Sequence, residues 1–181
     1  MDKEIISNEK KKDELSLFNF SQKDYGEDYG KHTIEQYKLF VELMDRVTQR
    51  RLNTNTFFLT ANTALIAALS GLFTAHILSF NNFLVIDSLM AFAGVLLCVE
   101  WRGVIKSYTQ LNQGKFEIIH RIEERLPLSM FKAEWEALGK GNDKKKYKPI
   151  TKTEKFIPTV FIFLYLALAF SSFLIPHGLI L

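Results

Sequence analysis

Asp87 is the residue best placed to do chemistry in this chain, because it is a carboxylate inside an apolar run, FLVIDSLMAFAGVLLCVEW (83–101). An ionisable group in such a run is expensive and by default marks a functional or packing site. Its position near the start of the run fits two uses: an ion-attracting group at a pore mouth, or a carboxylate that reaches headgroup water. A second set of residues is polar but uncharged. Thr56, Thr60, Thr63, Ser70 and Thr74 are spaced 4, 3, 7 and 4 residues apart, so they share one helix face, and Asn55 and Asn62 belong to the same polar set. Such a stripe either hydrogen-bonds between close-packed helices or lines a water-filled pore. A third set is basic. Arg102, Lys106, Lys115, Lys144, Lys145 and Lys146 lie near Tyr108, Phe116 and Tyr147, a composition that suits an anionic ligand such as a nucleotide. Residues 101–155 hold 13 Lys and Arg against 7 Asp and Glu. A basic flank that orients the chain beside a membrane accounts for the same bias.

Other chemistry has no signature. There is no G-x-S-x-G, no phosphate-binding glycine loop, no H-E-x-x-H and no cysteine pair, so the chain reads as a non-enzyme. Cys98 is the single cysteine, and His32, His76, His120 and His177 are scattered without ligand spacing, so neither a disulfide, a metal nor a cofactor is expected. GKGNDKKKY (139–147) superficially resembles a phosphate loop but lacks its spacing and a preceding strand.

These residues must be positioned by helices in a bilayer. The 181-residue chain is 48% hydrophobic and 24% charged, close to a soluble average, yet its charges are segregated. They fall almost wholly in residues 1–55 and 101–155, leaving apolar stretches at 56–78, 83–100 and 156–176 that carry only Asp87 and, at an edge, Glu100. About 20 helical residues rise about 30 Å, the thickness of the hydrocarbon core. Pro158 is expected in the first turn of the third span, where a missing N–H costs nothing. Lys and Arg flank the spans on one side only. The link HILSFNN (76–82) and the tail PHGLIL (176–181) have none, which predicts a cytoplasmic N-terminus and an external C-terminus.

The first two spans continue beyond the bilayer. Ile34, Tyr37, Val41 and Met44 keep helical spacing ahead of span one, with no Pro or Gly in between, which predicts one helix over 32–78. Val104, Tyr108, Leu111, Ile118 and Ile122 extend span two until Pro127 ends the pattern. The expected architecture is therefore an all-α membrane protein with three transmembrane helices, the first two extended into a cytoplasmic antiparallel stalk. Residues 1–31 form a mobile or docking segment, 32–126 the long hairpin, 127–155 a short helix and basic connector, and 156–176 the third span. Two broad apolar stalk faces ask for more partners than one hairpin supplies, so a homo-oligomer is expected.

Three stretches carry a resemblance: HTIEQYKLFVELMDRVTQRRLNTNTFFLTANTALI (32–66), WRGVIKSYTQLNQGKFEIIHRIEERLP (101–127) and EWEALGKGNDKKKYKPITKTEKFIP (134–158). In layout the chain resembles the SLATT-type bacterial membrane effectors of anti-phage defence, and especially the membrane effector of the Hailong system. That resemblance implies a homo-oligomer of four copies in the bacterial inner membrane, conducting ions and depolarising the cell. It also implies control by a nucleotide-derived ligand, such as an oligodeoxyadenylate made by a neighbouring nucleotidyltransferase. Many proteins of that group have two spans, and the third apolar run departs from this. The alternative reading is a non-conducting membrane-anchored sensor or scaffold that recruits a cytoplasmic partner.

Overall fold

The computed structural model describes residues 17–74 and 80–174, the side chains of 73, 80–83 and 172–174 excepted. Residues 1–16 of the expected N-terminal segment, 76–79 of the link and the tail after the third span lie outside the described residues. Within them every regular element is helical: α1 (Gln22–Tyr25), α2 (Tyr29–Thr74), α3 (Phe80–Glu123), α4 (Met130–Ala137) and α5 (Ile150–Leu174). Three of these, α2, α3 and α5, are long and apolar enough to cross a membrane. The protein is an all-α membrane protein with three spans.

The 46 residues of α2 rise about 69 Å at 1.5 Å per residue, more than twice the thickness of the hydrocarbon core. The charge-free half of α2 fills that core, and the half bearing Glu35 to Arg51 must project beyond it. The 44 residues of α3 divide the same way. The projecting halves form a stalk, with Tyr37, Met44 and Ile119 buried between them.

Packing follows a seven-residue repeat. On α2, Tyr37, Met44, Arg51 and Phe58 recur every seven residues, and Asn55, Asn62 and Leu69 follow the same period four residues on. Within this series Tyr37, Met44, Phe58, Asn62 and Leu69 are buried. On α3, Asp87, Ala91, Gly94, Cys98, Trp101 and Ile105 are buried at spacings of 4, 3, 4, 3 and 4. Such alternation keeps one seam facing a neighbour along a gently supercoiled pair. Helix α3 packs against α2 on one side and α5 on the other.

Two boundaries differ from the sequence reading. Helix α3 ends at Glu123, and the expected stretch to Leu126 tightens into i→i+3 bonds, Arg125 N–H to Ile122 O at 3.0 Å and Leu126 N–H to Glu123 O at 3.0 Å. Pro127 disfavours helical geometry in the residue before it. Helix α5 begins at Ile150, directly after Pro149, rather than at 156. Apolarity defines the bilayer segment, but ITKTEK (150–155) continues the helix below it. Pro158 therefore lies inside the helix, fully buried, instead of in its first turn.

Candidate functional site

The outward face of α2 carries the hydroxyl stripe. Thr56, Thr60, Thr63, Ser70 and Thr74 are all exposed, on the side of α2 opposite the buried Phe58, Asn62 and Leu69. Four of the hydroxyls turn back on their own helix. Thr56 Oγ1 donates to Leu52 O at 3.1 Å, Thr63 to Leu59 O at 2.8 Å, Ser70 Oγ to Ile66 O at 3.0 Å and Thr74 to Ser70 O at 3.1 Å. Among the described residues the stripe makes no hydrogen bond to α3 or α5. Among the described residues α3 and α5 present no such row: Leu89, Phe92 and Leu96 on α3, and Phe156, Phe163 and Phe170 on α5, are exposed and apolar, as are Phe57 and Leu59 beside the stripe on α2.

The inward face of α2 carries a polar network that the stripe conceals in the sequence. Asn62 is fully buried. Its Nδ2 donates to Phe58 O at 2.8 Å, and its Oδ1 accepts from Tyr165 Oη on α5 at 3.0 Å and from Cys98 Sγ on α3 at 3.2 Å. One side-chain amide thus joins all three spans. Tyr165 reaches it only because Gly94 leaves room, since a Cβ there would stand 2.3 Å from Tyr165 Cζ.

Two turns nearer the stalk, Asn55 repeats the arrangement. Its Oδ1 accepts from Trp101 Nε1 at 2.9 Å and its Nδ2 donates to Glu154 Oε1 at 2.8 Å. Glu154 is also paired with Arg51, whose Nη2 donates to Thr151 Oγ1 at 2.9 Å. Trp101 stacks on Phe58 with ring centroids 5.7 Å apart. An ion pair this buried is held by the extra hydrogen bonds around it. The pair ties the start of α5 to α2 at the end of the apolar segment.

A third junction closes the stalk. Glu123 is 1% exposed, and its carboxylate accepts from Tyr37 Oη at 3.0 Å, Phe131 N–H at 2.9 Å and Lys132 N–H at 3.2 Å. It caps α4 from another helix, where the local Ser129 makes no side-chain cap. Burial, then the hydrogen bond and charge of Glu123, push the Tyr37 hydroxyl up to about 12.

Asp87 is 2% exposed within the single chain, on the packed face of α3, and its Oδ2 has no hydrogen-bond partner among the described residues. The basic candidates are not gathered into one site. Arg102 and Lys106 are exposed just past Trp101. Lys115 lies on another face of α3, its Nζ 4.7 Å from the centre of the Phe40 ring. Lys144, Lys145 and Lys146 are exposed in the connector, which folds onto Trp135 through Gly141 and Tyr147.

Glu154, Arg51, Tyr165 and Glu123 are network side chains that the sequence did not single out, and Asn55, Asn62 and Tyr37, noted for their spacing, gain partners that spacing does not give. One signal was present. Arg51, Asn55, Phe58, Asn62 and Leu69 keep the seven-residue repeat on the face opposite the hydroxyls.

Spans joined through buried amides, with two apolar outer faces and one hydroxyl-bearing one, define a membrane protein built to associate. The model of the octameric membrane protein family matches residues 34–174. The chain belongs to that family and is an oligomeric membrane protein. The family's name speaks of eight subunits, where the resemblance implied four. Neither a curated protein nor a solved structure matches the chain.

Proposed function

We propose that this chain is one subunit of a ring, eight-membered as the family's name has it, in which the α2 helices turn their hydroxyl faces to a central aqueous path for ions. One observation carries the reading: among the described residues at membrane depth, α2 carries a continuous row of exposed hydroxyls, set beside the exposed Phe57 and Leu59, and α3 and α5 carry no such row. Lipid suits the exposed phenylalanines and leucines of α3 and α5. Water suits the threonines, whose hydroxyls keep a free lone pair while bonded to the backbone. The output is depolarisation of a bacterial inner membrane, with the stalk in the cytoplasm. The resemblance to SLATT-type effectors adds a role in anti-phage defence and control by a nucleotide or oligonucleotide ligand. The reading is one of conduction, not catalysis.

The test is flux. Purified protein in liposomes, or expressed cells with a potential-sensitive dye, should pass ions, and Thr60→Leu with Thr63→Leu should stop them. Unchanged potential with the ring intact would leave the non-conducting sensor or scaffold standing. That second reading draws on the backbone-bonded hydroxyls, which are equally content in lipid. Control by an anion is read separately: charge reversal at Lys144, Lys145 and Lys146 should alter regulation without altering open conductance.

A further inference from the structure

A groove runs along the side of the stalk where α2 and α3 meet. It is lined by Phe40, Leu111, Gly114, Lys115, Ile118 and Arg121 among others, and encloses about 460 Å³. Its floor is apolar, its rim carries Lys115, Arg121 and Glu117, and Gly114 leaves open backbone with nothing within 4 Å of a Cβ position. On α2, next to Phe40 on the helix surface, Leu39 and Leu43 are 60% and 49% exposed although they stand outside the apolar span. Glu35 and Glu42 flank them, both exposed. Each feature is an unfilled half of a contact.

We infer that the Leu39–Leu43 ridge of one subunit seats in the Phe40–Leu111–Ile118 groove of the next copy of this chain, and that this is the contact that closes the ring. Symmetry singles out the occupant. Copies of a membrane protein share one orientation, so a closed ring turns about the membrane normal and every residue keeps its height. Whatever enters the groove must therefore lie at the groove's own level. The register across the hairpin is set by Tyr37 opposite Glu123, Phe58 opposite Trp101 and Asn62 opposite Cys98. It puts Leu39 and Leu43 level with residues 117–121, at one end of the groove. Glu35 on the ridge side is within the reach of Lys115 or Arg121 in such a contact, while Glu42 stays paired with Arg46 at 2.7 Å. Apart from Phe40 the groove belongs to α3, whereas the ridge belongs to α2, so the contact joins unlike surfaces head-to-tail, the kind that propagates around a ring rather than stopping at a pair. It rests on family membership and not on conduction.

Cysteine cross-linking of the full chain in membranes tests it, in a Cys98→Ser background that keeps a donor for Asn62. The pair Leu43→Cys with Glu117→Cys should give, on mild oxidation, a ladder of covalent multimers, and neither single variant should. No ladder from the pair while native mass shows an intact ring overturns the proposal. So does efficient dimer formation by Leu43→Cys alone, which would mean a two-fold contact. Separately, Leu39→Glu with Leu43→Glu should reduce the ring to smaller species with helix content retained. A ring of unchanged size also overturns it.

Discussion

The two faces of α2 use similar side chains to opposite ends. Inward, Asn55 and Asn62 take partners from α3 and α5, and their amides have no alternative once the helices have packed. Outward, Thr56, Thr63, Ser70 and Thr74 donate within their own helix and need nothing from any neighbour. The difference teaches what polarity at membrane depth can mean. Amides bonded across helices fix one arrangement. Hydroxyls bonded along a helix leave that face free to meet lipid, water or another subunit at little cost, which is what a face that assembles or conducts requires.

The comparison breaks most visibly at Glu154. Glu154→Leu leaves Arg51 buried without its carboxylate, so unfolding in mixed micelles should show a loss of about 3 kcal/mol or more. A loss within error would mean the inward network carries no weight. Gly94→Val drives a side chain into the Tyr165 ring and should cost about 1–3 kcal/mol, with the tyrosine's fluorescence environment changing in step. Asn62→Leu strips Tyr165 Oη and Cys98 Sγ of their acceptor and should cost about 1–2 kcal/mol. In a double-mutant cycle, Tyr165→Phe should recover part of that loss, because two absent partners cost less than one orphan. On the outward face, Thr56→Val with Thr63→Val should shift stability by no more than about 0.5 kcal/mol. A larger effect would mean the hydroxyls support the fold of the single chain.

The smallest effect extends the inward face into the stalk. Tyr37 is raised from its ordinary 10.0 to about 12, so the neutral hydroxyl stabilises the fold below pH 10 and that contribution is lost as pH rises through 12. Alkaline difference spectra of the intact protein should show one late-titrating tyrosine outside the membrane, absent in Tyr37→Phe.

Much of the fold was legible because its causes are local. A run of about 20 apolar residues between charged flanks reports its solvent directly, and the unbroken 3–4 spacing across Arg51 shows that stalk and span are one helix. The start of α5 was less legible. Thr151, Lys152 and Glu154 look like linker until Arg51 and Asn55 are seen to receive two of them. Phase along α2 was the harder problem. The helix has polar residues on both faces, and periodicity alone does not say which set turns inward when a threonine stripe and an asparagine repeat share one period.

The sequence by itself determined the number of spans, their segregation from charge and the length of the stalk, since each depends on stretches of chain meeting water or lipid. The tertiary structure alone decided that Asn62 faces Tyr165, 103 residues away, that Glu123 caps a helix it does not belong to, and that Asp87 is enclosed within the single chain. A buried hydrogen bond is a property of two positions brought together by packing, and neither position announces its partner.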